Sequence, residues 1–392
     1  MTTDLDCTYV VPPALRWDDE VIKSFEECAP YYFGGVAPRV DGRRVTLKGR
    51  PRDRFEGNPT DILVGLIADL VRGYRDATEQ VLQDHVSSRP SRETDPFPAL
   101  VDARAVVPSG PGRFSYHGDF LQMMTSLDRL ILDLARARGA VEEMYPATVP
   151  TDLLRRSGYL KSFPHHAFFV SPVRFDQSAL AVAQNGRPGG GGGLEEGATY
   201  LADAADVLAP TVCYHTFNAR KDRGAQATES VTALNMCHRF ETGKVRSLER
   251  LSTFRMREVV IFGSAEHVAQ ELDYYFDWFL DLLRDWDVGF RATTANDPFF
   301  ASSSDGKRMF QTAFALKREV RLRVPGDDRW ISVASFNSHS NSLVDAFSIV
   351  GGENCRLVSG CVGFGYERFL YGLYCAFGVD IADWPEAFQA LR

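Results

Sequence analysis

The chain has 392 residues, of which 44% are hydrophobic and 24% are charged, and its formal net charge is −8. This composition is typical of a globular protein with a large hydrophobic core. The net negative charge disfavours binding to the backbone of a nucleic acid, because proteins with that function usually carry an excess of basic residues.

The cysteines and the first residues indicate the compartment. Seven cysteines are scattered along the chain without a Cys-x-x-Cys pair, which suits a reducing compartment better than a secreted disulfide scaffold. The opening MTTDLDCTYVVPP carries acidic residues and lacks the apolar stretch of a signal peptide. No apolar run is long enough for a transmembrane helix. We therefore expect a cytoplasmic protein with no membrane partner.

Residues 1–105 are predicted to form an accessory module of mixed α+β structure, with 110–392 as the main domain. The clearest pattern in the module is an amphipathic segment from Asp61 to Val86, whose apolar residues recur at helical spacing. The stretch 87–98, rich in Pro and Ser, is typical of a linker. A small structural cap without a catalytic role is the plain interpretation of this module.

The first part of the main domain is predicted to be mostly helical. A strong amphipathic helix covers about 118–138, and Gly139 stands where a helix-ending glycine is expected. A short strand closed by Pro146 and a helix over 150–157 follow. The glycine run 186–197 lacks the Lys-Ser/Thr ending of a nucleotide loop, so we interpret it as a surface loop.

From residue 211 onward strands dominate the predicted structure. One long helix, about 265–285 with Ser264 as its N-cap, interrupts them, and a last helix ends near Phe377. There is no regular alternation of strands and helices, so the pattern favours an α+β fold with an antiparallel sheet. The predicted strands are TVCYHTFN, LNMCHRFE, TFRMREVVIFG, EVRLRV, WISVASFN and the start of GCVGFGYERF.

Two stretches carry residue types that bind phosphate. In CHRFE, Arg239 and Glu241 would share one face of a strand by period two, and Arg is well suited to bidentate phosphate contacts. In GFGYER, Gly363 and Gly365 would let a ligand approach the backbone, and Arg368 would point back at it from a helix. For each stretch taken alone, a solvated strand face or a tight turn is an equally simple interpretation.

Taken together, the two stretches resemble motifs 2 and 3 of the class II aminoacyl-tRNA synthetases. The resemblance implies that Arg239 contacts the α-phosphate of ATP, that Phe254 stacks on adenine and that Arg368 contacts the γ-phosphate. Glu241 would complete the catalytic, ATP-binding set. The strand ending at Pro146 resembles motif 1, the element through which these synthetases form homodimers.

A closer resemblance links the chain to the amino acid:carrier protein ligases, homologues of the atypical, zinc-dependent seryl-tRNA synthetases. It covers about 115–380 and leaves residues 1 to about 110 outside. It implies a zinc ion held by Cys213, Glu258 and Cys361, with the fourth position open to the α-amino group of the substrate. The resembling stretches are GYLKSFPH, TVCYHTF, FRMREVVIFG, NDPFFASSSDGKRM, SFNSH and GCVGFGYERF.

The remaining substrate contacts are less closely defined by the resemblance. Ser335 and Asn337 would lie on the floor of the amino acid pocket, with Lys317 at its edge. The acid that holds Mg²⁺ is not placed, and Glu353 is one candidate. The ligases have Tyr-His after SFN where this chain has Ser-His, so the identity of the amino acid stays open.

The predicted function is ATP-dependent activation of a small amino acid as its adenylate, then transfer to the phosphopantetheine thiol of a carrier protein. One alternative is an atypical seryl-tRNA synthetase, but residues 1–110 are acidic and lack a basic helix face for tRNA. Another is a catalytically silent paralogue that binds an amino acid and regulates another enzyme. The retained arginines and metal ligands disfavour it.

Overall fold

The computed structural model describes residues 4–51, 55–73, 79–90, 92–185, 200–221, 225–241, 247–295, 317–326, 328–351 and 357–389. Three sequence-based expectations lie outside these residues: the glycine run, the resembling stretch 296–309 and the candidate Glu353. Within the described part of the chain, no helix is both long and apolar enough to cross a membrane.

The N-terminal module has mixed α+β structure and a core of its own. Its three-stranded antiparallel sheet has the order β1-β3-β2, and two helices cover it. Buried side chains from both helices, among them Phe25 and Leu66, pack against Val45 and Leu47 of the sheet. The elements are β1 (Leu5–Val10), α1 (Asp19–Tyr32), β2 (Arg39–Asp41), β3 (Arg44–Gly49) and α2 (Pro59–Gly73).

The amphipathic segment Asp61–Val86 is not one continuous element, contrary to the helical spacing that the sequence suggested. The helix ends at Gly73, and Val81–His85 forms strand β4. This strand pairs with Phe290–Thr294 of the main sheet. Its conformation is therefore determined by hydrogen bonds to a distant strand, which the periodicity of the sequence does not reveal. The domain boundary at residue 105 stays a prediction, but β4, which precedes this boundary, is hydrogen-bonded to a strand of the main sheet that follows it.

Eight strands form the main sheet, in the order β4-β13-β14-β15-β16-β12-β11-β7. Every neighbouring pair is antiparallel except β11 and β7, which confirms the predicted α+β architecture. The strands that follow β4 are β5 (Val106–Gly110), β6 (Arg113–Tyr116), β7 (Val141–Glu142), β8 (Thr148–Pro150), β9 (Phe169–Val170), β10 (Asp206–Leu208), β11 (Glu229–His238), β12 (Thr253–Gly263), β13 (Phe290–Thr294), β14 (Lys317–Arg323), β15 (Trp330–Ser340) and β16 (Val358–Gly365).

Helices cover one face of this sheet and bury the main core. Phe279 of the long helix packs edge-on against Phe364 of β16, with 5.2 Å between ring centroids. The predicted N-cap Ser264 accepts a hydrogen bond from the amide of His267. The remaining helices are α3 (Phe97–Asp102), α4 (Gly118–Ala137), α5 (Thr151–Arg156), α6 (Tyr159–Ser162), α7 (Gln177–Asn185), α8 (Cys213–Arg220), α9 (Ala265–Asp285), α10 (Ser342–Ala346), α11 (Tyr366–Phe377) and α12 (Glu386–Gln389).

The segment TVCYHTFN was predicted to be a strand, and that prediction is wrong. Residues Cys213–Arg220 form helix α8. Its buried residues Cys213, Thr216, Phe217 and Arg220 recur at helical spacing. The aromatic and β-branched residues favoured a strand, but the burial of one helical face outweighs that propensity.

A buried ion pair ties the main sheet to α4. Arg257 of β12 is only 1% exposed, and its Nε and Nη2 donate to the two carboxylate oxygens of Asp128 at 2.6 and 3.0 Å. The hydroxyl of Tyr366 donates to the same carboxylate at 2.7 Å. This bidentate geometry compensates for the removal of both charges from water.

We expect Arg257→Ala to lower the free energy of unfolding by about 3 kcal/mol, because it leaves the Asp128 carboxylate without its cation. Urea denaturation measures this. Arg155→Ala is the matched control, since Arg155 pairs with Asp152 at the surface, where ion pairs contribute little. Equal losses in the two variants would contradict the prediction.

Candidate functional site

The sheet face opposite α9 carries the predicted site residues that lie on strands β12, β15 and β16. Strand register sets Ser335 of β15 opposite Gly363 of β16, and Gly363 opposite Glu258 of β12. One step along, Asn337 lies opposite Cys361. Directly opposed residues point to the same face of a sheet, so these five strand positions, all predicted from sequence motifs, form one continuous surface.

Cys213, Glu258 and Cys361 form a compact cluster that we call the Cys/Glu/Cys cluster. One ligand atom from each residue lies within 4.8 Å of the others, and all three residues are buried. They come from the first residue of α8, from β12 and from β16. Two thiols and a carboxylate are a donor set suited to a borderline-soft divalent cation, so this cluster could hold a metal ion.

Helix α8 begins against the carboxylate of Glu258. The amides of Val212 and Cys213 donate to its two oxygens at 3.2 and 2.8 Å, and the hydroxyl of Thr211 donates as well. Burial, together with the neighbouring Cys361, nevertheless raises the pKa of Glu258 to about 7. The carboxylate is therefore held in a fixed direction within a poorly solvated site.

The two thiols of the cluster interact directly. A hydrogen bond from the Cys213 thiol lowers the pKa of Cys361 well below its usual value, against the opposing effect of burial, and His339 and Asn337 lower it further. The amide Nδ2 of Asn337 lies 3.5 Å from Sγ of Cys361. Stabilised negative charge at a buried sulfur favours binding of a metal cation at this position.

The floor beside the cluster is polar and close to the backbone. Asn337 Nδ2 donates to Ser335 Oγ at 3.2 Å. A Cβ added at Gly363 would lie 3.4 Å from that oxygen and 3.7 Å from Cγ of Glu258, whereas one at Gly365 would meet no described atom within 4 Å. Glycine at these two positions leaves that space beside β16 free of side chains.

Lys317 lies opposite Asn337 on β14, next to a row of charges that the sequence analysis missed. Its Nζ is 3.2 Å from Glu319, which also pairs with Arg321 at 3.2 Å. Burial alone would raise the pKa of Glu319, but Lys317 and Arg321 lower it to about 2. The alternation Lys-x-Glu-x-Arg at 317–321 was the available signal.

Arg239 and Glu241 lie beyond the end of β11, not on it as the strand-like pattern of CHRFE suggested. Nε of Arg239 donates to the carbonyl of Pro210 at 3.0 Å, and the guanidinium lies 5.2 Å from the ring centroid of Phe254. The structure thus brings together the arginine and the aromatic ring predicted to contact ATP.

Arg368 lies in the first turn of α11, where three arginines surround one carboxylate. Burial lowers its pKa, Glu241 opposes this effect, and the nearby cations Arg239 and Arg250 add to it. Nη1 of Arg250 donates to Glu241 at 3.3 Å. Arg250 was not predicted, because it lies in the connection between β11 and β12, where periodicity carries no information. Such an excess of positive charge suits a polyphosphate.

The fold of the chain is similar to that of solved seryl-tRNA synthetases. The chain matches the seryl-tRNA synthetase of M. kandleri, solved in complex with A. aeolicus tRNASec, with a TM-score of 0.71 and 19% identity, over 98% of this chain and 76% of that chain. The fold is therefore that of the class II synthetases. Because 98% of this chain is included, the N-terminal module lies within this structural likeness.

Sequence comparison gives the family. No family model matches the chain. It is 30% identical over 301 residues to amino acid–[acyl-carrier-protein] ligase 2 of Bradyrhizobium diazoefficiens, covering 76% of this chain and 87% of that protein. It is 24% identical to the type-2 serine–tRNA ligase of Methanococcus maripaludis, over 71% of this chain and 56% of that protein. The chain belongs to the amino acid–[acyl-carrier-protein] ligase family and is an enzyme of the ligase class.

Proposed function

We propose that the protein activates an amino acid with ATP and transfers it to the phosphopantetheine thiol of a carrier protein. The observation that carries this proposal is that one strand, β12, bears Glu258 of the Cys/Glu/Cys cluster and, near its start, Phe254, the ring against which Arg239 lies. A site for an amine and a site for a polyphosphate would then lie side by side. Membership of the ligase family supports the same reaction.

The amino acid would bind at the Cys/Glu/Cys cluster. Cys213, Glu258 and Cys361 would hold zinc, which supplies a Lewis acid for the α-amino group of the substrate. Asn337 and Ser335 offer polar contacts beside it, and Lys317 stands at the edge of the same surface. Fixing the amino group would orient the carboxylate toward ATP, and such orientation lowers the barrier by removing the entropic cost of alignment.

ATP would bind at the arginines, with magnesium. Phe254 would stack on adenine, Arg239 would contact the α-phosphate and Arg368 the γ-phosphate, with Glu241 orienting the arginines. In the first step, a carboxylate oxygen bonds to the α-phosphorus while the bond to the bridging oxygen of the β-phosphate breaks, and pyrophosphate leaves. Preorganised arginines stabilise the charge that develops there.

In the second step, the sulfur of the carrier thiol bonds to the carbonyl carbon, the bond from that carbon to the phosphate oxygen of AMP breaks, AMP leaves, and the thiol proton passes to water. A thiol is a good nucleophile, so the enzyme mainly has to orient the two groups. We further propose a homodimer, formed through the segment that follows α4 and includes β7. Sedimentation velocity at micromolar concentration would test this association state.

One observation favours a second candidate, the charging of tRNA with serine. The N-terminal module lies within the structural likeness to the M. kandleri enzyme, whose structure contains tRNA. The acidic balance of this chain argues against it, since phosphate contacts need clustered basic residues.

Pyrophosphate exchange tests the proposed function. We expect ATP–pyrophosphate exchange that depends on one or a few amino acids, followed by transfer to a carrier bearing the phosphopantetheine arm. The same carrier without its arm is the control and should receive nothing. Transfer to tRNA alone would establish the second candidate. No exchange with any amino acid would instead favour a catalytically silent regulator.

A further inference from the structure

We propose that Tyr31 of the N-terminal module is a positioning residue for the ATP site of its own chain. The inference rests on the proposed function, because it concerns the segment that holds Arg239 and Glu241. It assigns to the module a part in activating the amino acid, in addition to any part in binding a macromolecular partner.

Tyr31 lies in the last turn of α1 and reaches across to the main domain. Its hydroxyl donates to the backbone carbonyl of His165 at 3.0 Å. Its ring meets the His165 imidazole edge-on, with 5.6 Å between centroids. His165 is buried in a short 3₁₀ turn, Pro164–His166. The module therefore holds this turn through one hydrogen bond and one aromatic contact.

The 3₁₀ turn in turn contacts the backbone of Phe240, the residue between the two predicted ATP-binding residues. The amide of Phe240 donates to the carbonyl of His166 at 3.0 Å. Phe240 stands between Arg239 and Glu241 in the sequence. A contact chain thus runs from Tyr31 through the turn to the Arg-x-Glu segment, and each link in it is a hydrogen bond or a peptide bond.

Charge interactions also link the 3₁₀ turn and Tyr31 to the arginine site. Burial lowers the pKa of His166 to about 2, and His165, Arg239 and Arg250 add to the effect. Burial also raises the pKa of Tyr31, with Glu241 as the next contributor. His166 and Tyr31 are thus both neutral at physiological pH.

The Arg-x-Glu segment needs such outside support because it lies past the end of β11. Residues of β11 up to His238 are paired with β12, whereas the segment depends on separate contacts. The amide of Arg239 donates to the carbonyl of Ser252 at 3.0 Å, and Phe240 depends on the turn. Loosening the turn would therefore let Arg239 and Glu241 leave their working geometry.

The test measures ATP affinity by titration calorimetry on the full-length protein. We expect Tyr31→Ala to raise the Kd for ATP about three- to tenfold. Tyr31→Phe keeps the ring and loses only the hydrogen bond, so it should raise the Kd about two- to threefold. The matched control is Tyr32→Phe, because Tyr32 follows on the same helix but packs against the core of its own module. It should bind ATP like the unchanged protein.

Further measurements separate positioning from folding. In pyrophosphate exchange, Tyr31→Ala should raise the KM for ATP more than it lowers kcat, while its thermal midpoint stays near that of Tyr32→Phe. Unchanged ATP affinity in Tyr31→Ala would overturn the inference. Absence of exchange in the unchanged protein would overturn the proposed function alone, since ATP affinity can still be compared among the variants.

Discussion

Arg239→Ala should lower the rate of amino-acid-dependent pyrophosphate exchange about 100- to 1000-fold. The guanidinium is held by the carbonyl of Pro210 and lies against the ring of Phe254, so its charge is fixed before ATP binds. Alanine removes both the charge and the bidentate donors that would meet the α-phosphate. The loss should appear mainly in kcat, because this charge develops in the transition state.

Two further variants sharpen the test of Arg239. Arg239→Lys keeps a positive charge but cannot form the bidentate contact, so it should recover only part of the lost rate. Arg284→Ala removes an arginine on α9 that pairs with Asp281 at the surface, and it should exchange at the normal rate. Full activity of a folded Arg239→Ala protein would refute the role assigned to this residue.

Cys361→Ala should release the metal and abolish amino acid activation together. The substitution removes one of the three clustered residues proposed to bind the metal, and losses of even outer contacts at metal sites cost about 10- to 100-fold in affinity or activity. We expect zinc in the purified unchanged protein by plasma mass spectrometry, and its absence from the variant after dialysis. Exchange should fall at least about 100-fold.

The control for Cys361 is Cys375→Ala. Cys375 is also buried, but it packs in the main hydrophobic core and belongs to no metal cluster among the described residues. This variant should keep both zinc and exchange. A Cys361→Ala protein that retained its zinc but lost exchange would assign the thiol to substrate contact, and one that kept both would refute the metal site.

The sequence predicted those elements whose own residues show a clear periodicity or a terminating cap. The helices at 118–137, 265–285 and 366–377 follow apolar periodicity and end at recognisable caps. The hairpin of β11 and β12 follows from two strand patterns joined by a polar loop. The three residues of the Cys/Glu/Cys cluster were predicted as metal ligands from a family resemblance, and the structure brings them together.

Contacts between distant parts of the chain were beyond this kind of prediction. Tyr31 and His165 are separated by 134 residues, and Glu79 and Arg321, which hydrogen-bond at 3.0 Å, by 242. No periodicity or spacing encodes such pairs. The same limit explains α8 and β4, because burial against partners far away in the sequence determines whether a short segment becomes a helix or a strand.

Strand β4 has a consequence for solubility. It covers the outer side of β13, a mostly buried strand that would otherwise present unpaired backbone donors and acceptors. Exposed strands of this kind invite edge-to-edge aggregation. β4 itself carries the polar residues Gln83, Asp84 and His85 after the exposed Val81 and Leu82. A shortened form of this enzyme that discarded β4 with the N-terminal module would need another strand or a charged edge to stay in solution.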